Sequence, residues 1–500
     1  MEFIDLLMLG FSHSLTPTNL FYCLVGALLG TLIGVLPGVG PTATIAMLLP
    51  ITFSLPPLAA LVMLAGIYYG AQYGGSTTAI LLNVPGEATA AVTAIDGHQM
   101  AKNGRPGPAL AIAALGSFFA GTIGTLLIAI LALPLAALAL KFGAPEYFSL
   151  MVLALVTSVA LAHGSLLKAF AMIFLGLAFG MIGTDVYTGA QRFTFGNLQL
   201  ADGVSIVALA VGTFGVSEIL RNMESRQAER RLTAKVQGLL PSRDELRRSI
   251  GPVLRGTFLG SLLGVLPGGG PLLASFGSYS MEKNISRHPE TFGKGAVEGI
   301  AGPESANNAG AQTSFIPMLT LGIPANPVLA LLLGAMILQG IQPGPNVAVR
   351  NPDIFWGLIT SMWIGNVMLV VLNLPLIGIW VRLLSIPYKA LFPTILVFSS
   401  IGTFSVTGNV FDLYSIVFFG LLAYLLIKLG CEPAPFILGF ILGPIMEETL
   451  RRAMILSNGD PLIFVQRPIS ATLLAFSAIA VLFVVLPMIS NRRADIFVED

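Results

Sequence analysis

Two small polar clusters carry the residues best suited to chemistry. The first reads Tyr73-Gly74-Gly75-Ser76-Thr77-Thr78 and leads through a short apolar stretch to Asn83-Val84-Pro85-Gly86. The second reads Pro303-Glu304-Ser305-Ala306-Asn307-Asn308 and leads through an apolar run to Thr320-Leu321-Gly322-Ile323-Pro324. Ser, Thr and Asn side chains offer neutral hydrogen-bond donors and acceptors. That set suits a carboxylate that must be bound and then released, and neither cluster holds a Lys or Arg that would clamp it. Ser76, Thr77, Asn83, Asn307, Asn308 and Thr320 are therefore the candidate ligand-binding residues. Glu304, beside the Asn pair, is the candidate for coupling to Na⁺ or H⁺. The plainer alternative is that these small residues only let helices pack closely.

A second feature is a phrase that occurs twice. Gly-Val-Leu-Pro-Gly-x-Gly-Pro stands at Gly34–Pro41 and again at Gly264–Pro271. Proline inside a helix removes a hydrogen bond and clashes with the preceding turn, so neither phrase can be continuous helix. Pro37, Gly38 and Gly40, with Pro267, Gly268 and Gly270, mark the two breaks. Unwound backbone at membrane depth frees carbonyl oxygens that coordinate cations and N–H groups that attract anions. Matched breaks in two hydrophobic halves point to the binding region of a secondary transporter. A packing kink or an interfacial turn is the simpler reading.

The elements that would position these residues lie in a membrane. Of 500 residues, 55% are hydrophobic and only 10% charged, against about 25% charged in soluble domains. Apolar stretches such as Leu20–Leu36, Ala109–Leu140, Leu166–Ile182, Phe355–Leu374 and Ala471–Ile489 recur along the chain. They predict an all-α polytopic protein with about 12 passes, some of them broken or re-entrant. The apolar arm after each polar cluster is too short to cross, so a re-entrant hairpin is expected there. No secretory signal pattern is visible. Cys23 and Cys431 have no metal or redox spacing and are read as packing residues. A net charge of +1 argues against nucleic-acid partners.

Between Arg221 and Ser249 the chain carries eight Lys/Arg against four acids, which places this connector on the cytoplasmic side. It divides the chain into a first repeat (1–220), a polar linker (221–250) and a second repeat (251–500). Further anchors follow the doubled phrase in order. Leu82–Gly86 parallels Leu321–Ala325, and Gly104–Pro108 parallels Gly340–Pro345. The loop after the first break has no basic residue, whereas its counterpart has Lys283, Arg287 and Lys294. Opposite charge bias at matched loops predicts inverted repeats.

Other acids read as structural. Glu447 and Glu448 precede Arg451 and Arg452 by four residues, the spacing of helical ion pairs. Asp185 sits in Gly183–Gly189 as a turn or helix cap. The four histidines (His13, His98, His163, His288) are scattered, and no HExxH, GxSxG or paired-Asp motif appears, which excludes the usual hydrolase sets. A channel-like or scaffolding membrane subunit is the alternative to active transport.

Taken together, Gly34–Pro41, Gly74–Gly86, Asp96–Pro108, Gly180–Gly196, Pro303–Pro324 and Leu438–Arg452 resemble the large membrane subunit of the tripartite tricarboxylate transporters, the TctA type. The matching stretches are spread over most of the chain in the family's order. The resemblance implies a multi-pass permease of the bacterial inner membrane. It implies a small membrane subunit and a periplasmic solute-binding protein as partners, and leaves a homodimer open. It implies ion-driven uptake of di- or tricarboxylates, with no cofactor beyond a coupling Na⁺ or H⁺.

Overall fold

A computed structural model of the chain describes residues 3–36, 40–161, 165–185, 187–224, 238–266, 270–383, 396–397, 400–401, 403–404 and 408–489. It is helical almost throughout. The opening helices are α1 (Phe3–Ser14), α2 (Pro17–Val35), α3 (Pro41–Thr52), α4 (Pro57–Leu82), α5 (Ala91–Lys102), α6 (Pro106–Ala139), α7 (Ala144–Leu161) and α8 (Leu166–Gly180). Two-residue strands, Gly183–Thr184 and Gln191–Arg192, pair antiparallel. Next come α9 (Ile206–Ala210), a π-helical turn over Val211–Val216, and α10 (Ser217–Glu224). The second half supplies α11 (Arg243–Gly264), α12 (Gly270–Ile285), α13 (Glu298–Thr313), α14 (Phe315–Leu321), α15 (Pro327–Leu338), α16 (Val347–Arg350), α17 (Pro352–Asn373) and α18 (Ile377–Leu383). It closes with α19 (Val410–Lys428), α20 (Pro433–Leu456), α21 (Ile463–Gln466) and α22 (Pro468–Ile489).

Local sequence sets the boundaries. Thr16 caps α2 by accepting from Asn19 N, with Pro17 at the first helical position, where its missing N–H costs nothing. Ser242 and Glu245 form a reciprocal capping box on α11, and Asn326 caps α15 through Leu329 N at 3.0 Å. Among the described residues, four helices are long and apolar enough to span a bilayer: α2, α6, α17 and α19. Shorter apolar helices accompany them. The chain is thus a multi-pass helical membrane protein.

The chain divides into two compact units. One is built from Met1–Ala136, Ser205–Leu266 and Gly270–Leu425, the other from Ala137–Val204 and Leu426–Asp500, in their described parts. The first unit draws on both sequence halves. Of the polar linker, residues 225–237 lie outside the described residues. Its ends are helical, closing α10 and opening α11.

Within the first unit, one packing arrangement appears twice. On α2, a Cβ added to Gly26, Gly30 or Gly34 would lie 2.3–2.5 Å from a carbonyl oxygen of Met63, Ile67 or Ala71 on α4. On α11, Gly256, Gly260 and Gly264 approach Gly302, Ala306 and Gly310 of α13 as closely, at 2.1–2.4 Å. Only glycine at every fourth position lets two backbones meet this way. Each pair of helices is parallel, with the intervening helix, α3 or α12, returning the chain. Each broken helix ends under a hydroxyl from its partner: Thr78 Oγ1 donates to Gly34 O (3.2 Å), and Ser314 Oγ donates to Gly264 O (3.1 Å). Asn83 (φ 55°) and Gly322 (φ 73°) end the partner helices in the left-handed conformation. Gly104 (φ 80°) and Gly340 (φ 72°) correspond in the same way.

The polar clusters lie inside long helices. Tyr73–Leu82 is the last third of the 26-residue α4. Pro303–Thr313 lies within α13, which α14 continues after a single helical residue at Ser314. The short arms expected from the sequence are continuous with the apolar turns before them, because Gly66 and Gly70 are held against α2 and do not break the helix.

Chain directions follow from contact register. α5 runs alongside α4 in the same direction, Gly75 facing Ala90 and Ile80 facing Gly97. Against α13 it runs the opposite way, Thr93 meeting Glu304 and Asp96 meeting Ala296. α4 and α13 are therefore antiparallel, and the turns that precede them lie at opposite ends. Single cysteines placed at Ser54 and at Ser286 in a Cys-less background should label from opposite sides of the membrane. Labelling of both from one side would overturn this arrangement.

Candidate functional site

Glu304 lies in the middle of α13 and is 1% exposed. A carboxylate held this deep must find donors from neighbouring elements. Thr93 of α5 donates its hydroxyl to Oε1, and Ser117 of α6 donates to Oε2 at 3.3 Å. Asn308 Nδ2 donates to Ser117 Oγ (2.7 Å) and to the Glu304 carbonyl one turn back (3.1 Å). Ser76 of α4 also lies beside the carboxylate, though its hydroxyl donates to Gln72 O at 3.1 Å. The donors on the carboxylate are thus first-half hydroxyls around a second-half acid. No Lys or Arg pairs with it among the described residues.

Ser76, Thr77, Tyr73, Ser117, Glu304 and Asn373 border a cavity of about 10 Å³, room for roughly one water-sized occupant. A second polar group flanks it. Thr89 donates to Gln72 Oε1 (3.1 Å) and to the Glu87 carboxylate, and Ser275 of α12 donates to Thr89 O (3.1 Å). Asn307 is fully buried beside Glu87. Neither polar atom of its amide has a partner of ordinary hydrogen-bond geometry. A buried polar group left without a partner is costly.

The expected site residues separate into three groups. Ser76, Thr77, Glu304, Asn307 and Asn308 gather around this region, all buried. Thr320 is buried elsewhere on α14 and returns its hydroxyl to Ile316 O at 2.7 Å. Asn83 is exposed at the end of α4, where it serves as the left-handed cap. Of the break residues, Gly40 starts α3 with open space around its Cα, whereas Gly270 starts α12 tight against Leu263 O. Pro37, Gly38, Pro267 and Gly268 lie outside the described residues.

Thr93, Ser117, Glu87 and Asp96 escaped the sequence reading as site residues. Ser117 is a polar residue within the long apolar run of α6, a signal that was there to read. Thr93 and Asp96, three apart, share one face of α5. Asp96 accepts from Tyr279 (2.9 Å) and from the N–H groups of Gly295 and Ala296 (2.8 Å each), tying the first half to the start of α13.

The second unit shows the expected ion-pair cluster. Arg451 pairs with Glu447 (2.8 Å) and Asp185 (2.9 Å), Arg452 with Glu448 (3.3 Å), and Arg192 with Glu447 (2.6 Å). Asp185 caps its turn, accepting from the N–H groups of Tyr187 and Thr188 at 2.9 Å. The Thr188 N–H leads in holding this carboxyl down to about 2, burial opposing it and Tyr187 and Arg451 adding to it. Because its value is lowered, its contribution to stability is present above the ordinary carboxylate range and lost only as pH falls through about 2.

Fold and site together define a helical membrane protein with an uncompensated acid buried between its two halves. The chain belongs to the TctA family of tripartite tricarboxylate transporters, whose family model matches residues 20–438. It is 62% identical over 500 residues, the full length of both chains, to an uncharacterized 52.8 kDa protein in the TAR-I ttuC' 3' region of Agrobacterium vitis. Over 241 residues it is 63% identical to an uncharacterized protein in the TAR-II ttuC' 3' region of the same organism, covering 48% of this chain and all of that one. No solved structure matches the chain. The family is one of transporters rather than enzymes, as the absence of a catalytic motif led us to expect.

Ser117 tests the cage. Ser117→Ala removes a donor to the carboxylate and an acceptor for Asn308. Losing a hydrogen bond to a charged group costs about 1.5–3 kcal/mol, roughly ten- to hundredfold. If the carboxylate acts in transport, tricarboxylate uptake should fall by about that factor at unchanged membrane yield, and Ser117→Thr should retain most of it. Wild-type uptake kinetics in Ser117→Ala would remove the cage from the mechanism.

Proposed function

We propose that the chain is the large permease subunit of a tripartite uptake system for di- or tricarboxylates in the bacterial inner membrane. A periplasmic solute-binding protein delivers the substrate, a small membrane subunit completes the permease, and a Na⁺ or H⁺ gradient drives accumulation. Its passes, about twelve, form two inverted repeats. The antiparallel course of α4 and α13, the doubled glycine ladders and the opposite charge bias of matched loops support that topology. Ser76, Thr77, Asn307 and Asn308 supply neutral contacts to the substrate, and Glu304 carries the coupling charge.

The observation that carries this reading is Glu304 itself. An ionised carboxylate among membrane helices, with hydroxyl donors but no basic partner, needs a proton or a cation to offset its desolvation. That requirement is the chemistry of coupling. The cavity beside it accommodates an ion or a water and is far smaller than a tricarboxylate, so substrate entry requires the helices around it to part. Family membership supplies the substrate class.

Glu304→Gln tests the proposal, since it preserves shape and hydrogen bonding but removes the charge. In proteoliposomes holding the permease, its small subunit and a loaded binding protein, a panel of labelled di- and tricarboxylates is offered under imposed Na⁺ or pH gradients. Glu304→Gln should abolish accumulation while leaving substrate exchange in place. Undiminished accumulation under both gradients would contradict the role of Glu304 and shift coupling to the backbone breaks.

A further inference from the structure

Arg247, Arg248 and Arg255 of α11 border a surface cavity of about 360 Å³, which Arg287, just after α12, also lines. Two of these guanidiniums are matched by acids. Arg255 binds both oxygens of Glu282 (2.8 and 2.6 Å), and Arg248 binds both oxygens of Glu298 (2.8 Å each). Arg247 and Arg287 have no acidic partner among the described residues. The cavity therefore carries two positive charges in excess, on groups whose planar forks suit phosphate oxygens.

Alongside it runs an apolar stripe. Ile250, Leu254, Phe258 and Leu262 recur at every fourth position of α11, and all are more than half exposed. Ile250 and Leu254 each immediately precede a residue of the cavity wall, Gly251 and Arg255. The stripe thus leads from the cavity along the helix toward the second break. A basic pocket in water would take any small anion. One that opens onto an exposed apolar stripe, in a protein of the membrane, fits a molecule with an anionic head and apolar chains. We propose that this cavity binds the headgroup of an anionic phospholipid, whose acyl chains lie along α11. Glu282 and Glu298 hold Arg255 and Arg248 in place, and Arg247 and Arg287 meet the phosphate.

The test is native mass spectrometry of the full chain in detergent, titrated separately with phosphatidylglycerol, phosphatidylcholine and inorganic phosphate. Phosphatidylglycerol should bind in preference to phosphatidylcholine. Each basic residue near a membrane surface is worth about 1 kcal/mol toward anionic lipid, so Arg247→Gln with Arg287→Gln should weaken binding by roughly thirtyfold. Arg247→Lys with Arg287→Lys retains both charges and should restore most of the affinity, which separates lost charge from a lost fold. Unchanged phosphatidylglycerol binding in the double Gln variant would overturn the site. Inorganic phosphate binding as tightly as the lipid, and displacing it, would overturn the lipid in favour of a soluble anion.

Discussion

A buried carboxylate with no basic partner among the described residues constrains the packing around it. Glu304 is set deep in α13, away from bulk water, and it obtains its donors from Thr93 on α5 and Ser117 on α6. Those helices belong to the other sequence half. The acid is satisfied only while the two halves stand in register, so any motion that shifts one against the other changes its surroundings. Under the function proposed above, a proton or a cation bound at this carboxylate would bias the arrangement of the helices around it.

Register at this level needs close and rigid packing within each half. The glycine ladders of α2 against α4 and of α11 against α13 bring backbones together where no side chain fits. Hydrophobic attraction between helices is weak in lipid, so such approach and interhelical hydrogen bonds provide cohesion. The hydroxyls of Thr78 and Ser314 secure a carbonyl in the last turn before each break, those of Gly34 and Gly264. Polar ties between halves add to this: Tyr73 to Asn366 at 2.6 Å, Asn326 to Tyr68 at 2.9 Å, and Asp96 to the turn before α13.

Much of this was legible in the sequence. The doubled Gly-Val-Leu-Pro-Gly phrase marked where both ladders end, and the polar clusters contain Ser76, Thr77, Glu304, Asn307 and Asn308, which gather in one region. What the sequence could not convey was which helix would stand opposite Glu304. Thr93 and Ser117 become donors only through tertiary contact, and a lone Ser in an apolar run has no local signature of its partner. Asn83, a candidate contact by its polarity, stands at the exposed end of α4, where Asn tolerates the left-handed conformation. The same geometry falls to Gly322 in the other half. The helical arms were misjudged in length for a related reason: polar residues lower local hydropathy without ending a helix whose glycines are packed.

The account stands or falls on whether Glu304 changes its state when the coupling ion binds. Infrared difference spectroscopy of the purified protein in lipid, exchanged between Na⁺ and K⁺ and between two pH values, reads carboxyl groups directly. We expect one of these exchanges to produce a carboxyl difference band that is missing from Glu304→Gln. Identical difference spectra for the wild type and Glu304→Gln under both exchanges would contradict the claim that this buried acid carries the coupling charge.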